Sequence, residues 1–156
     1  KAVTIPVIAA GGIATGSAML AAFALGAQAV QMGTRFVASV ESSAHENFKQ
    51  KVLSVKEGDT MLALKKLVSV RLIKNAFYQQ VADAEARGAN PDELAAILGK
   101  GRAKKGMFEG NMDEGELEIG QIAAILDEVK PAAQIIADII AEFKEAQAKV
   151  CGINLF

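Results

Sequence analysis

The first 40 residues contain two charged side chains, Lys1 and Arg35, and no acid occurs before Glu41. A segment this poor in charge has to be covered on most of its surface, so it belongs inside a larger α/β assembly rather than on the outside of a helical bundle. Val3-Thr4-Ile5-Pro6-Val7-Ile8-Ala9-Ala10 is a β-branched run that stops at Gly11-Gly12, as a buried strand does. Ser17 is expected to cap a helix through Met19, Leu20, Phe23 and Leu25, with Gly26 as the left-handed residue that ends it. Ala29-Val30-Gln31-Met32 then reads as a second strand. Strand, helix and strand in this order predict a βαβ unit with parallel strands and a right-handed crossover.

One βαβ unit cannot bury itself. The helix between its strands carries no charge on any face, and the later segments are mostly helical in pattern. The expectation is a piece of a larger α/β barrel; a subunit completed by a partner chain is the alternative. Ala18 to Val30 is the most apolar stretch, but Gly26 and Gln28 interrupt it and it falls short of the roughly 20 apolar residues of a spanning helix. No membrane association is expected. Of the 156 residues 51% are hydrophobic and 22% charged, with formal net charge -1, which suits a globular domain and offers no electrostatic footprint for nucleic acid. Cys151 is the single cysteine and no secretory signal or basic leader is evident, so a cytoplasmic location is expected.

Downstream, Ser43-Ala44-His45-Glu46 has the spacing of a capping box, and a helix from about Ser43 to Val55 should follow. Met61 to Arg87 is mostly helical in period, although Val68-Ser69-Val70 could be locally extended, and Gly88 should end it. Asn90-Pro91-Asp92-Glu93 predicts a helix start, with an N-cap, proline at the first position and acids at the positive end of the dipole. Gly99 to Gly115 has loop composition, Glu118 to Val129 is amphipathic, and Ala132 to Val150 forms a long last helix using Ile135, Ile139, Ile140 and Phe143. The organisation expected is two barrel βα units at residues 1–42, a helical insertion at 43–112, and a return to the barrel with C-terminal helices at 113–156.

Gly11-Gly12-Ile13-Ala14-Thr15-Gly16 follows a strand and opens a helix, so backbone N–H groups can approach a phosphate without an intervening side chain, and the helix dipole favours the anion. The spacing is not the dinucleotide fingerprint, and no acid follows about 20 residues on to hold a ribose. Nor does it carry the lysine of a P-loop. A glycine pair after a strand also serves as a plain tight turn. The second strand, however, ends in Gln31-Met32-Gly33-Thr34-Arg35, and adjacent parallel strands bring two such turns side by side, as after strands 7 and 8 of many (β/α)8 barrels.

Three stretches carry a resemblance: Ile5 to Ala14, Gly26 to Phe36 continuing through Glu41 to Lys49, and Gly115-Glu116-Leu117-Glu118-Ile119-Gly120-Gln121-Ile122. Together they are similar to the nitronate monooxygenase and flavin-dependent enoyl-acyl-carrier-protein reductase family. Ala44-His45-Glu46-Asn47-Phe48-Lys49 and Glu116-Leu117-Glu118-Ile119-Gly120-Gln121 look more like the reductase branch. The resemblance implies an FMN-binding TIM barrel with an inserted helical domain. It places Gly11, Gly12, Gln31, Met32, Gly33 and Thr34 on the FMN phosphate, mainly through backbone N–H, with the Thr34 hydroxyl as a further donor. It implies NADH or NADPH as reductant, a small-molecule or acyl-carrier-protein-bound substrate, and a homo-oligomer. The family's catalytic histidine lies on a loop of an earlier strand and has no counterpart in these residues, so the chain alone is expected to be inactive. The other activities considered are nitronate oxidation and, from a different class, a non-enzymatic phosphate-ligand or assembly module using Ala18 to Leu25 as an interface.

The remaining chemistry-bearing residues have plainer readings. His45 is the single histidine and sits in the predicted capping box, so a capping or surface role is favoured over a base at the active-site rim. Lys100, Arg102, Lys104 and Lys105 could meet an acidic carrier protein or a dinucleotide phosphate, but charge runs are usually solvated. Glu114, Glu116 and Glu118 make no metal-ligand pattern with His45 and Cys151, and no metal is expected. Gln121 reads equally as a flavin neighbour and as a helix-start polar residue.

Overall fold

The computed structural model describes residues 3–153. Strand β1 (Ile8–Ala10), helix α1 (Gly16–Ala24) and strand β2 (Ala29–Gln31) form the expected βαβ unit, with β1 and β2 parallel and Ala9 opposite Val30. Helix α1 begins two residues earlier than the sequence suggests: Thr15, not Ser17, is the N-cap, and its hydroxyl accepts from the Ala18 N–H at 3.1 Å. At the other end Gly26 N–H reaches Phe23 O and Ala27 N–H reaches Ala22 O, the paired bonds of a Schellman stop. A four-residue helix α2 (Thr34–Val37) follows β2 directly.

Helix α3 (Glu46–Leu53) is capped by His45 rather than by Ser43. The His45 N–H donates to Met107 O at 2.8 Å, which holds the backbone extended up to that residue, and Nδ1 then accepts from the Asn47 N–H at 3.1 Å.

The segment 61–87 departs most from its sequence pattern. Instead of one helix it makes an antiparallel hairpin, β3 (Thr60–Ala63) and β4 (Val70–Ile73), followed by helix α4 (Ala76–Ala86). The cause is a distant partner. Residues 117–119 pair with β4, through Ile73 N–H to Leu117 O at 3.0 Å and Ile119 N–H to Arg71 O at 3.1 Å. Residues 43–112, expected from the sequence to be a helical insertion, therefore contain a two-stranded sheet as well as helices. Helix α5 (Pro91–Leu98) has the reciprocal Asn90–Glu93 capping box that its sequence predicts. Phe77, Val81 and Leu94 from α4 and α5 pack with Leu64 and Leu72 of the hairpin into a core, each at most 2% exposed.

Two further stretches differ from expectation. The glycine-rich 99–115 region winds a π-helical turn at Lys104–Phe108. Glu118 to Val129 forms only a short 3₁₀ turn at Gln121–Ile125, because Leu117 and Ile119 are committed to the edge of β4 and Lys130 pairs in parallel with Ser39. The last helix α6 (Ala132–Cys151) runs as predicted and buries Ile135 and Ile139, but leaves Ile140 39% exposed. It returns across α1, where Phe143 meets Phe23 edge to face at 5.9 Å between centroids. No helix among the described residues is long and apolar enough to cross a membrane.

Candidate functional site

The carboxyl ends of β1 and β2 lie side by side, so the turns that follow them face one another. Between them is a cavity of about 240 Å³, lined on the strand side by Gly11, Gly12, Gln31, Gly33 and Thr34. Gly11 and Gly12 have φ of 86° and 71°, a left-handed backbone that a side chain disfavours. A Cβ built on either residue meets no protein atom within 4 Å. The N–H groups of Gly12, Ile13 and Gly33 donate to no backbone carbonyl among the described residues. The turns thus present unpaired donors to an opening wide enough for a phosphate group.

A third wall comes from far along the chain. Gly120 and Ile122 line the same cavity, and the Gly120 N–H donates to Thr34 Oγ1 at 3.0 Å. With that lone pair engaged, the Thr34 hydroxyl hydrogen is directed elsewhere and can serve an acceptor in the cavity. Met32, half-buried, is not among the lining residues, so of the residues expected on the phosphate it is the one not brought to the cavity.

The expected contribution of the α1 dipole is altered. The Gly16 N–H at the start of α1 donates to Glu142 Oε2 of α6 at 2.8 Å, and Thr15 takes the Ala18 N–H. A carboxylate therefore already occupies the positive end of α1, which leaves an anion to the glycine turns themselves.

The other candidates lie away from this cavity. His45 caps α3 with its ring against Gly110. Arg102 is a structural clamp: Nε donates to Leu98 O, Nη2 to Ile97 O and Nη1 to Glu114 O, while the guanidinium stacks over Phe77 at 4.6 Å. Lys104 pairs with Glu109 at 3.2 Å. Glu116 is buried, and its carboxyl is raised above the usual range by burial first and by the Glu118 charge second, with Arg102 opposing. Gln121 is exposed and opens the 3₁₀ turn between the two lining residues Gly120 and Ile122. Cys151 is exposed at the end of α6. No group of acids, histidine and cysteine among the described residues could hold a metal ion. Gly120, Ile122 and Glu142 are the participants that sequence reasoning did not single out for the site. Their partners are 86 or more residues away for the two hydrogen bonds, beyond any local pattern.

A family model described as nitronate monooxygenase matches residues 1–142. A nitronate monooxygenase of Paraburkholderia phytofirmans is 34% identical over 149 residues, covering 94% of this chain and 40% of the relative. Among solved structures, FabK from Thermotoga maritima superposes with a TM-score of 0.88 at 46% identity, over 96% of this chain and 48% of that one. Nitroalkane oxidase from Streptomyces ansochromogenes superposes with a TM-score of 0.72 at 33% identity, over 96% and 42%. The chain spans less than half the length of each of these relatives. On these matches, and with its parallel βαβ unit and returning C-terminal helix forming part of a TIM-barrel fold, the chain belongs to the nitronate monooxygenase family.

Proposed function

We propose that the protein carrying this chain is an FMN-dependent enoyl-acyl-carrier-protein reductase driven by NADH or NADPH, and that residues 3–153 supply its phosphate cradle. The observation that carries the FMN reading is the pair of glycine turns facing one cavity, with open space where side chains would stand. Gly11, Gly12 and Gly33 would hold the phosphate through backbone N–H, Gln31 and Met32 would set the second turn, and Thr34 would donate its hydroxyl hydrogen. Such charge-assisted bonds from prepositioned donors need little reorganisation on binding. When bound, FMN supplies the redox chemistry, taking reducing equivalents from the dinucleotide and delivering them to the substrate. The task of these residues is to fix the phosphate end so that the rest of the cofactor is oriented in the barrel mouth.

The 46% identity to FabK over 96% of the chain supports the reductase branch, beside 33% for the nitroalkane oxidase, 34% for one nitronate monooxygenase and 40% over 67% of the chain for a probable nitronate monooxygenase of Staphylococcus aureus. Nitronate oxidation is the second reading, favoured by the family model itself and by the nitronate monooxygenase relatives. The test is the visible flavin spectrum of the full-length protein loaded with FMN and mixed anaerobically with NADH or NADPH. Bleaching, with colour restored by an enoyl thioester, is the expected result. No bleaching by either dinucleotide, with bleaching by an alkyl nitronate instead, would move the protein to the oxidising branch.

A further inference from the structure

Charge is unevenly distributed along the chain. Residues 49–74 contain seven basic side chains, Lys49, Lys51, Lys56, Lys65, Lys66, Arg71 and Lys74, against two acids, Glu57 and Asp59. That stretch is +5 in a protein whose total is -1, so everything else sums to -6. Folding does not neutralise it. The ion pairs formed among the described residues are Arg102–Glu114, Lys104–Glu109, Lys149–Glu145 and Lys130 with Glu128 and Asp138, and none uses a base from this stretch. Within the stretch Lys49 and Lys66 reach backbone carbonyls but no carboxylate, whereas in the other basic cluster, Lys100 to Lys105, Arg102 and Lys104 each pair with a glutamate.

The tertiary structure gathers part of the stretch at one place. Lys51 near the end of α3 and Lys74 just after β4 line the same cleft of about 170 Å³, with Ser54, Asp59 and the apolar Val55 and Ile73. Asp59 faces it too, but its Oδ2 accepts the Lys56 N–H at 2.8 Å, so part of that carboxylate is engaged in shaping the turn. Arg71, on the same strand face as Ile73, reaches Thr60 with Nη1 at 3.1 Å and extends the positive character along the open end of the hairpin. On that strand face Leu62, opposite Arg71, is 43% exposed. Val55 and Ile73 under the cleft are buried, so this face offers mainly charge, with Leu62 as its exposed apolar residue opposite Arg71.

We propose that this face, built from Lys51, Lys74 and the neighbouring Arg71, docks a protein with an acidic surface. Resting on the reductase reading above, that protein is the acyl carrier protein that presents the thioester. A small phosphate ligand fits less well. The two lysines lie on separate segments around a shallow cleft, with no glycine turn and no buried donor to close on a phosphate. Long-range attraction between oppositely charged faces acts through the association rate and is weakened by salt.

The experiment compares two substrates on the full-length holoenzyme: one enoyl group carried on acyl carrier protein, and the same group on a small soluble thioester. K51Q/K74Q and K51E/K74E are assayed beside the unaltered protein at low and high salt. The expected result is that kcat/KM for the carrier-borne substrate falls about tenfold or more in the reversal variant, and less in the neutral one, with a flatter salt dependence. kcat/KM for the small thioester should not change, which also shows that the variants are folded and loaded. Equal kcat/KM for all proteins on the carrier-borne substrate would overturn the docking surface while leaving the reductase reading intact. Equal losses on both substrates would also overturn it, as would a rise confined to the KM of NADPH, which would assign the face to the dinucleotide. If the unaltered protein reduces neither substrate, the reductase reading fails, and the carrier assignment falls with it.

Discussion

The Gly120 N–H donates to Thr34 Oγ1 at 3.0 Å, joining the turn after β2 to a segment 86 residues later. A Cβ on residue 120 would lie 2.8 Å from the same oxygen. The two residues therefore set the direction of the Thr34 hydroxyl together. Thr34→Val, which keeps the shape and removes the donor, is expected to weaken FMN binding by about 1.5–3 kcal/mol, the worth of a hydrogen bond to a charged group. Gly120→Ala should act in the same direction and Thr34→Ser should restore binding. Fluorescence titration of the full-length apoprotein with FMN measures all three. Unchanged affinity in Thr34→Val would remove the hydroxyl from the cradle.

Gly12 offers a harsher test of the same site. Valine there would force a β-branched side chain into a backbone at φ 71° and push its methyls into the cavity. FMN should be lost from the purified protein, and Gly12→Ala should retain it weakly. Stoichiometric FMN in the valine variant would sink the phosphate-site assignment.

His45 separates a capping role from a catalytic one. Its Nδ1 accepts the Asn47 N–H, so His45→Ala is expected to cost about 1 kcal/mol of stability through the lost cap. FMN affinity should not move. His45→Asn, which can cap in the same way, should recover the stability. Denaturant unfolding and FMN titration on the same samples give both answers.

At Gly16 two helices approach backbone to backbone. A Cβ there would fall on Phe143 N and Ile139 O of α6. No side chain can move aside at that contact, so Gly16→Ala should destabilise the protein by about 3 kcal/mol, the upper end of ordinary overpacking. It should also break the Gly16 to Glu142 hydrogen bond. A thermal midpoint within error of the unaltered protein would show that α1 and α6 do not pack this way.

Glu116 gives a pH prediction with a definite sign. Burial is the main cause of its raised carboxyl, followed by the Glu118 charge. A carboxyl that binds its proton more tightly when folded contributes stability that is fully present below its unfolded value and is lost as pH rises through its folded value. Denaturant midpoints across that interval should therefore fall less in Glu116→Gln than in the unaltered protein. Asp138 has the opposite sign, since hydrogen bonds from Lys130 and then Gln134 hold its carboxyl below the usual range, so Asp138→Asn should blunt the loss of stability on acidification. Parallel pH profiles for Glu116→Gln and the unaltered protein would show that Glu116 is not buried.

Much of the site could be read locally. Each glycine turn follows its own strand within a few residues, and the βαβ order alone makes the strands parallel and their ends adjacent. The Asn90 capping box and the Gly26 stop are likewise short-range devices whose partners lie within five residues. The hairpin failed this test because its residues are helical in period. What makes β4 a strand is the hydrogen bonding of Arg71 and Ile73 to residues 117–119, and that reward lies over 40 residues away. A capping role for His45 was legible, but the exact cap positions, Thr15 in place of Ser17 and His45 in place of Ser43, follow contacts with Glu142 and Met107, both distant in sequence.

The sequence by itself determined the βαβ unit, the two glycine turns and the long closing helix, because periodicity, β-branching and glycine backbone freedom act over a turn or a strand length. The tertiary structure decided which of those features meet. It brought Gly120 to Thr34, gave the start of α1 to Glu142, tied up Arg102, and left Lys51 and Lys74 facing one cleft without a carboxylate partner. Each of these depends on the position of a group far along the chain, and hydrogen bonds and charges at such separations are set by packing rather than by any local pattern.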